Sequence, residues 1–181
     1  MRLNQKKALV LVIDIQERLL PVISNKEEVE KNTQILLEGA DILSLPIVFS
    51  EQYPRGLGST VGSLEKWIRE DNLYEKTSFS LMDDLKKPME SLFSQGRNQF
   101  IISGIESHVC VYQTARDLLE LGKEVIIAYD AVGSRKDDNS QWALKSLQSL
   151  GALVLPVETI LFDLQRRSDT ASFKSVSKLI K

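Results

Sequence analysis

Only one cysteine and one histidine occur among the 181 residues, Cys110 and His108. A lone cysteine excludes an internal disulfide and fits a reducing compartment. A lone histidine argues against a metal centre built on two or more imidazoles, the common arrangement for zinc and iron. Charge of one sign is also missing. Lys and Arg number 23, Asp and Glu 25, for a net charge of −2, so nothing resembles the basic footprint of a nucleic-acid binder. Long apolar runs are absent. The run Ala8–Ile13, preceded by Arg2, Lys6 and Lys7, stops at Asp14 without the small-residue cleavage site of a secretion signal. No stretch approaches the roughly 18 apolar residues of a membrane span. Neither GxxxxGK[ST] nor GxGxxG occurs, and the GLG at Gly56–Gly58 is too short for a phosphate loop. The expectation is a soluble cytoplasmic protein with no nucleic-acid or membrane partner.

What is present is ordinary globular usage, 43% apolar and 27% charged. At about 150 residues per domain, the length predicts one domain over residues 1–181, large enough to bury roughly 70% of its unfolded surface. Short apolar runs predict strands at Ala8–Ile13, Ile47–Ser50, Phe100–Ser103, Val125–Tyr129 and Leu153–Val157, with a weaker sixth at Leu73–Lys76. Continuous apolar strands suit a parallel sheet covered on both faces. Amphipathic runs between them predict helices over Val29–Leu43, Met82–Phe93, Val109–Leu121 and Trp142–Leu150. Gly96, Gly122 and Gly151 each follow such a run and precede a strand, as helix-ending glycines do. The alternation predicts right-handed crossovers and a three-layer, doubly wound α/β fold. In such sheets ligands bind beyond the strands' carboxyl ends, where Asp14, Glu51, Gly104 and Asp130 fall by position.

Three residues could carry chemistry. Asp14 ends an apolar strand in VIDIQ. A carboxylate there needs a hydrogen-bond or charge partner, and a pocket-facing one can serve as a general base. Cys110 lies in SGIESHVCV, just after a strand. With Ser107 as helix N-cap, Cys110 falls in the first helical turn, where free N–H groups favour a thiolate; equally, a free cysteine often serves as a small buried hydrophobe. Lys76, in YEKTSFS, gains meaning only if the fold brings it between Asp14 and Cys110, where a cation would depress the thiol's pKa. His108 stands two residues from Cys110, a spacing that shares no helix face, so a capping or supporting role suits it better than a Cys–His pair.

VIDIQ with Asp14 and Gln16, EKTSFS with Lys76 and Phe79, and SGIESHVCV with Cys110 occur in one order along nearly the whole chain. In this the sequence resembles the isochorismatase-like cysteine hydrolases, which include nicotinamidases, N-carbamoylsarcosine amidohydrolases and isochorismatases. SEQYPRGLGSTV and GIESHVC are most similar to the divergent branch of isochorismatase domain-containing proteins. The resemblance implies a six-stranded, mostly parallel sheet with helices on both faces and a self-associating protein. It implies Asp14 as base, Lys76 as electrostatic partner and Cys110 as nucleophile. It also implies a cis Ile105–Glu106 peptide and an oxyanion hole made of the Glu106 and Cys110 amides. Gln16, Leu19, Gln52, Tyr53 and Phe79 are the candidate pocket residues. Nicotinamidases of the family carry a metal on an Asp and histidines after the second strand. EQYPRGLGS has no histidine, so neither metal nor other cofactor is expected. Retention of Cys110 favours acyl chemistry on a small amide. The alternative is an oligomeric scaffold with a vestigial site; a redox-sensing thiol ranks last, for want of a resolving cysteine.

Overall fold

The computed structural model of the chain describes residues 1–180. Six strands, β1 (Ala8–Ile13), β2 (Ile47–Gln52), β3 (Leu73–Lys76), β4 (Gln99–Ile105), β5 (Glu124–Gly133) and β6 (Leu153–Leu155), form one sheet. Every pairing is parallel, in the order β3-β2-β1-β4-β5-β6. The helices are α1 (Lys26–Ile42), the single turn α2 (Pro54–Leu57), α3 (Leu81–Asp84), α4 (Lys86–Ser94), α5 (Cys110–Glu120), α6 (Asp137–Ser149), α7 (Val157–Gln165) and α8 (Phe173–Leu179).

β1 shows why the sheet is covered twice. Its six residues are all buried. Ala8, Val10 and Val12 join one hydrophobic cluster and Leu9, Leu11 and Ile13 the other, the period of two that a strand imposes. The first cluster includes buried side chains of α1, α7 and α8, the second those of α3, α4 and α5, with Leu147 of α6. Burying one such aliphatic side chain contributes about 1.5–3 kcal/mol, so two-faced burial makes the central strands the anchor of the molecule. Among the described residues no helix is long and apolar enough to cross a membrane.

The expected elements differ from the observed ones where proline intervenes. Met82–Phe93 is not one helix but α3 and α4, meeting at Leu85. Pro88 lacks an N–H and would clash inside a continuous helix; in the first turn of α4 it is tolerated. The run read as a strand to Val157 stops at Leu155. Pro156 caps α7, and Val157 N–H donates to the Asp130 carboxylate at 2.9 Å. Asp130 is thereby removed from the ligand crevice: β5 continues to Gly133. Gly96, Gly122 and Gly151 do adopt positive φ, at 79°, 69° and 106°.

The strand order reverses between β1 and β4, the switch point where open α/β sheets form a crevice. Gly104 makes the approach of these strands possible. Its φ is 132°, and a Cβ there would stand 2.1 Å from the Ile13 carbonyl oxygen.

Candidate active site

The chain reverses sharply after β1, with Asp14 at φ 54° and its N–H donating to Ser50 O at 3.1 Å. This turns the carboxylate inward. Oδ1 accepts from Ser50 Oγ at 2.7 Å and Oδ2 from Lys76 Nζ at 2.7 Å. Lys76 reaches it from the end of β3, two strands away, where it pairs in register with Gln52. Both side chains of the ion pair are 0% exposed. Burying two charges is costly unless each is saturated with hydrogen bonds. The Lys76 ammonium meets that requirement, donating also to Gln52 Oε1 at 2.7 Å and facing the carbonyls of Ser78 at 3.2 Å and Phe79 at 3.3 Å. Asp84 pins that Thr77–Ser78 turn by accepting both N–H groups, at 2.6 and 3.0 Å, and these bonds hold its carboxyl below the usual range.

Cys110 opens α5 and is 6% exposed. Its thiol is close enough to Asp14 and Lys76 to be influenced by both. Burial pushes it up, the Asp14 carboxylate pushes it further, and Lys76 opposes them; the outcome is about 12. The balance runs against the expected stabilisation of a resting thiolate. Desolvation outweighs the cation, because the cation's charge is already answered by Asp14. Ser107 is not the N-cap either. That position falls to Val109, without a side-chain bond, while Ser107 Oγ accepts from Ser140 Oγ at 2.9 Å.

The Ile105–Glu106 peptide is cis. The Glu106 carbonyl accepts from the N–H groups of Val109 and Val111, at 3.0 and 3.2 Å. Among the described residues, the N–H groups of Glu106 and Cys110 find no acceptor outside the regular ladders. His108 bonds through Nδ1 to Ser134 Oγ at 2.9 Å and through Nε2 to the Asn139 amide at 3.3 Å. It supports the loop and does not pair with the thiol.

The pocket candidates divide. Gln16 is fully buried, and its amide donates to Gln52 O at 3.0 Å and Gly58 O at 2.7 Å while accepting from Gln52 N–H at 2.7 Å. Both its protons are committed, so it braces the wall. Gln52 holds Lys76 and donates to Thr77 O at 2.8 Å. Leu19 packs against the α1-side cluster. Tyr53 and Phe79, 56% and 53% exposed, lie on the segments that flank Lys76. A groove of about 410 Å³ bordered by Tyr53, Arg55, Thr77 and Asp84 reaches Lys76 but not Asp14 or Cys110. Glu51 stands apart, accepting from the N–H and hydroxyl of Thr60 at 2.6 and 2.8 Å. Sequence reasoning missed Ser50, although a serine ending a buried strand carries the same signal that singled out Asp14. Among the described residues, no three His, Cys, Asp or Glu side chains gather as around a metal ion.

Residues 8–159 match the family model described as the isochorismatase domain. Over 180 residues the chain is 38% identical to isochorismatase domain-containing protein 2 of Danio rerio, covering 99% of this chain and 89% of the relative. The solved structure of MAR1 ribonuclease from Caenorhabditis elegans is similar with a TM-score of 0.93 and 36% identity, covering 99% of this chain and 92% of that one. The ycaC gene product of Escherichia coli, an octameric hydrolase of unknown specificity, has a TM-score of 0.90 over 99% of this chain and 90% of its own. At 22% identity it shares the fold.

Proposed function

Given that this chain belongs to the isochorismatase family, we propose that it is a cysteine hydrolase, cleaving a small amide-like C–N bond through a thioester on Cys110. The observation that carries the reading is the convergence on one buried site of Asp14, just after β1, Lys76, at the end of β3, and Cys110, at the start of α5. As the substrate carbonyl is attacked, Asp14 takes the thiol proton and sulfur forms the new C–S bond. The carbonyl electrons move to oxygen, which the N–H groups of Glu106 and Cys110 hold. Collapse breaks the C–N bond, and Asp14 returns the proton to the leaving amine. Water then attacks the thioester, losing a proton to Asp14, and the sulfur departs and recovers that proton. Lys76 keeps Asp14 in place through their ion pair.

At 6% exposure, Cys110 leaves room only for a small substrate in this reading, with Leu19, Tyr53 and Phe79 as its walls and Gln16 and Gln52 as braces. The Caenorhabditis relative is named a ribonuclease. For this chain a phosphodiester is disfavoured by the net charge of −2 and by the carboxylate beside the nucleophile. The reading treats residues 1–181 as one domain, working in a reducing cytoplasm as a homo-oligomer. The octameric ycaC product and the exposed Trp142 (69%) support self-association.

The test is intact-mass analysis after incubation with mixed small amides and esters, with an RNA oligonucleotide as a separate arm. An acyl adduct on Cys110, lost together with turnover in Cys110→Ala, is the expected result. Turnover retained in Cys110→Ala, or cleavage of RNA alone, overturns it. A vestigial scaffold is the second reading, favoured by a thiol held near 12 at 6% exposure; it predicts oligomers with neither adduct nor turnover.

A further inference from the structure

We propose that residues Gly133–Ser140, running from the end of β5 into the first turn of α6, form a clamp that positions the oxyanion-binding amides. In this role Ser134, Arg135 and Ser140 are positioning residues for acylation of Cys110. The inference rests on the hydrolase reading and adds a specific burden to residues outside the triad.

Glu106, Ser107 and His108 are consecutive, and each bonds to this one segment. Glu106 Oε2 accepts from Arg135 N–H at 3.0 Å and from Arg135 Nε–H at 3.1 Å. Ser107 N–H donates to Gly133 O at 2.8 Å, and its Oγ accepts from Ser140 Oγ at 2.9 Å. His108 contacts Ser134 Oγ and the Asn139 amide. A neutral ring with Nδ1–H donating to Ser134 and Nε2 accepting from Asn139 satisfies both bonds. The clamp is anchored in turn. Ser134 O accepts from Ser24 N–H at 3.1 Å and from Ser24 Oγ at 2.9 Å, and Asn25 Nδ2 donates to Val132 O at 3.2 Å.

Arg135 is 62% exposed and the Glu106 side chain 11%, while Ser107 and Ser134 are buried, so these contacts both stabilise the segment and fix its position. Glu106 lies beyond β4 and Cys110 is the first residue of α5, so no ladder fixes the direction of either N–H group. A displacement of about 1 Å at a reacting centre can cost on the order of 10² in rate.

Two probes of Cys110 separate the roles. Chloroacetamide reacts by displacement: a C–S bond forms, chloride leaves, and no oxyanion appears. p-Nitrophenyl acetate reacts through a tetrahedral oxyanion, which collapses to the thioester with loss of p-nitrophenolate. In Arg135→Ala, Ser134→Ala and the double variant R135A/S140A, acylation is expected to fall about 10-fold or more. Alkylation should stay within about twofold, because displacement develops no charge at these amides. His108→Ala should behave likewise, with His108→Asn, which keeps a donor for Ser134, recovering most of the loss. Equal losses in both reactions, or no loss in either, overturn the clamp. Wild-type protein that is alkylated but never acylated instead overturns the hydrolase reading itself. Arg135 is a surface residue, so its variant keeps the test open if the buried Ser134→Ala fails to fold.

Discussion

The pH dependence of Cys110 alkylation is the sharpest consequence of the site's electrostatics. A thiol at about 12 describes loss of the proton to solvent while Asp14 stays charged, leaving two anions side by side in a dry crevice. Passing the same proton to Asp14 is a different event. One anion remains, it still faces Lys76, and the bulk pH does not enter the equilibrium. Three outcomes follow for a small neutral electrophile between pH 6 and 9. An ordinary exposed thiol gains roughly 200-fold in thiolate over that range. A buried thiol ionising to solvent near 12 gains tenfold per unit, about 1,000-fold in all. A thiol sharing its proton with Asp14 changes by less than about threefold. The site's arrangement predicts the third. The assay is the rate of iodoacetamide modification followed by intact mass, with Cys110→Ala as the blank. Asp14→Asn removes the acceptor and the second-largest upward push on the thiol and leaves Lys76 unanswered, so its rate should regain a pH-dependent rise, up to about tenfold per unit below the thiol's lowered pKa and flattening above it. A wild-type profile rising about 1,000-fold would refute Asp14 as the base.

Lys76→Met leaves the Asp14 carboxylate buried without its partner, a loss of about 3–5 kcal/mol. At about 2–4 °C per kcal/mol this lowers Tm by roughly 6–20 °C, and Asp14→Asn in the same chain should restore most of it. An unchanged Tm would contradict the saturated ion pair. Gly104→Ala places a Cβ 2.1 Å from a backbone oxygen at φ 132°. With no flexible side chain to yield, it should cost about 4 kcal/mol or more by denaturant titration; a loss under about 1 kcal/mol would show that β1 and β4 can part. Asp130 is raised above 3.8, chiefly by burial, with Glu28 adding to it and the Val157 N–H opposing. Its folded carboxyl holds a proton more tightly than the unfolded one. Stability is therefore greatest below the unfolded value and declines as pH rises through the window above 3.8. Asp130→Asn keeps an oxygen for Val157 and should raise Tm at pH 7 while leaving it unchanged near pH 3. A lower Tm at pH 7 would mean that the charge serves the N-terminus of α7.

Much of the fold was legible because burial on two faces writes itself into composition. Ala8–Ile13 and Leu73–Lys76 coincide with observed strands. The first is an unbroken apolar run and the second a short extended segment ahead of a polar turn. Strands read too short, such as Val125–Tyr129 against Glu124–Gly133, continue through Asp130, a polar residue the apolar pattern excludes. α7 and α8 were not anticipated. α7 follows directly on a β-branched run that Pro156 divides, and periodicity alone does not separate an apolar helix from an apolar strand over so few residues.

The candidate site residues stood out in the sequence and the balance of charge among them did not, for a physical reason. Asp14, Lys76 and Cys110 each end or follow a strand, so a parallel sheet delivers them to one edge. That much is topology, and local pattern encodes it. The thiol's resting state depends on a balance among three groups far apart in sequence. Read in isolation, a helix N-terminus and a nearby lysine both argue for a thiolate. The lysine's charge is, however, already matched at 2.7 Å by Asp14, which sets the desolvation penalty free to dominate. A cation activates a buried thiol only to the extent that no nearer anion has claimed it. In the mechanism proposed above the claimant is also the base, so activation is deferred until the proton moves to Asp14.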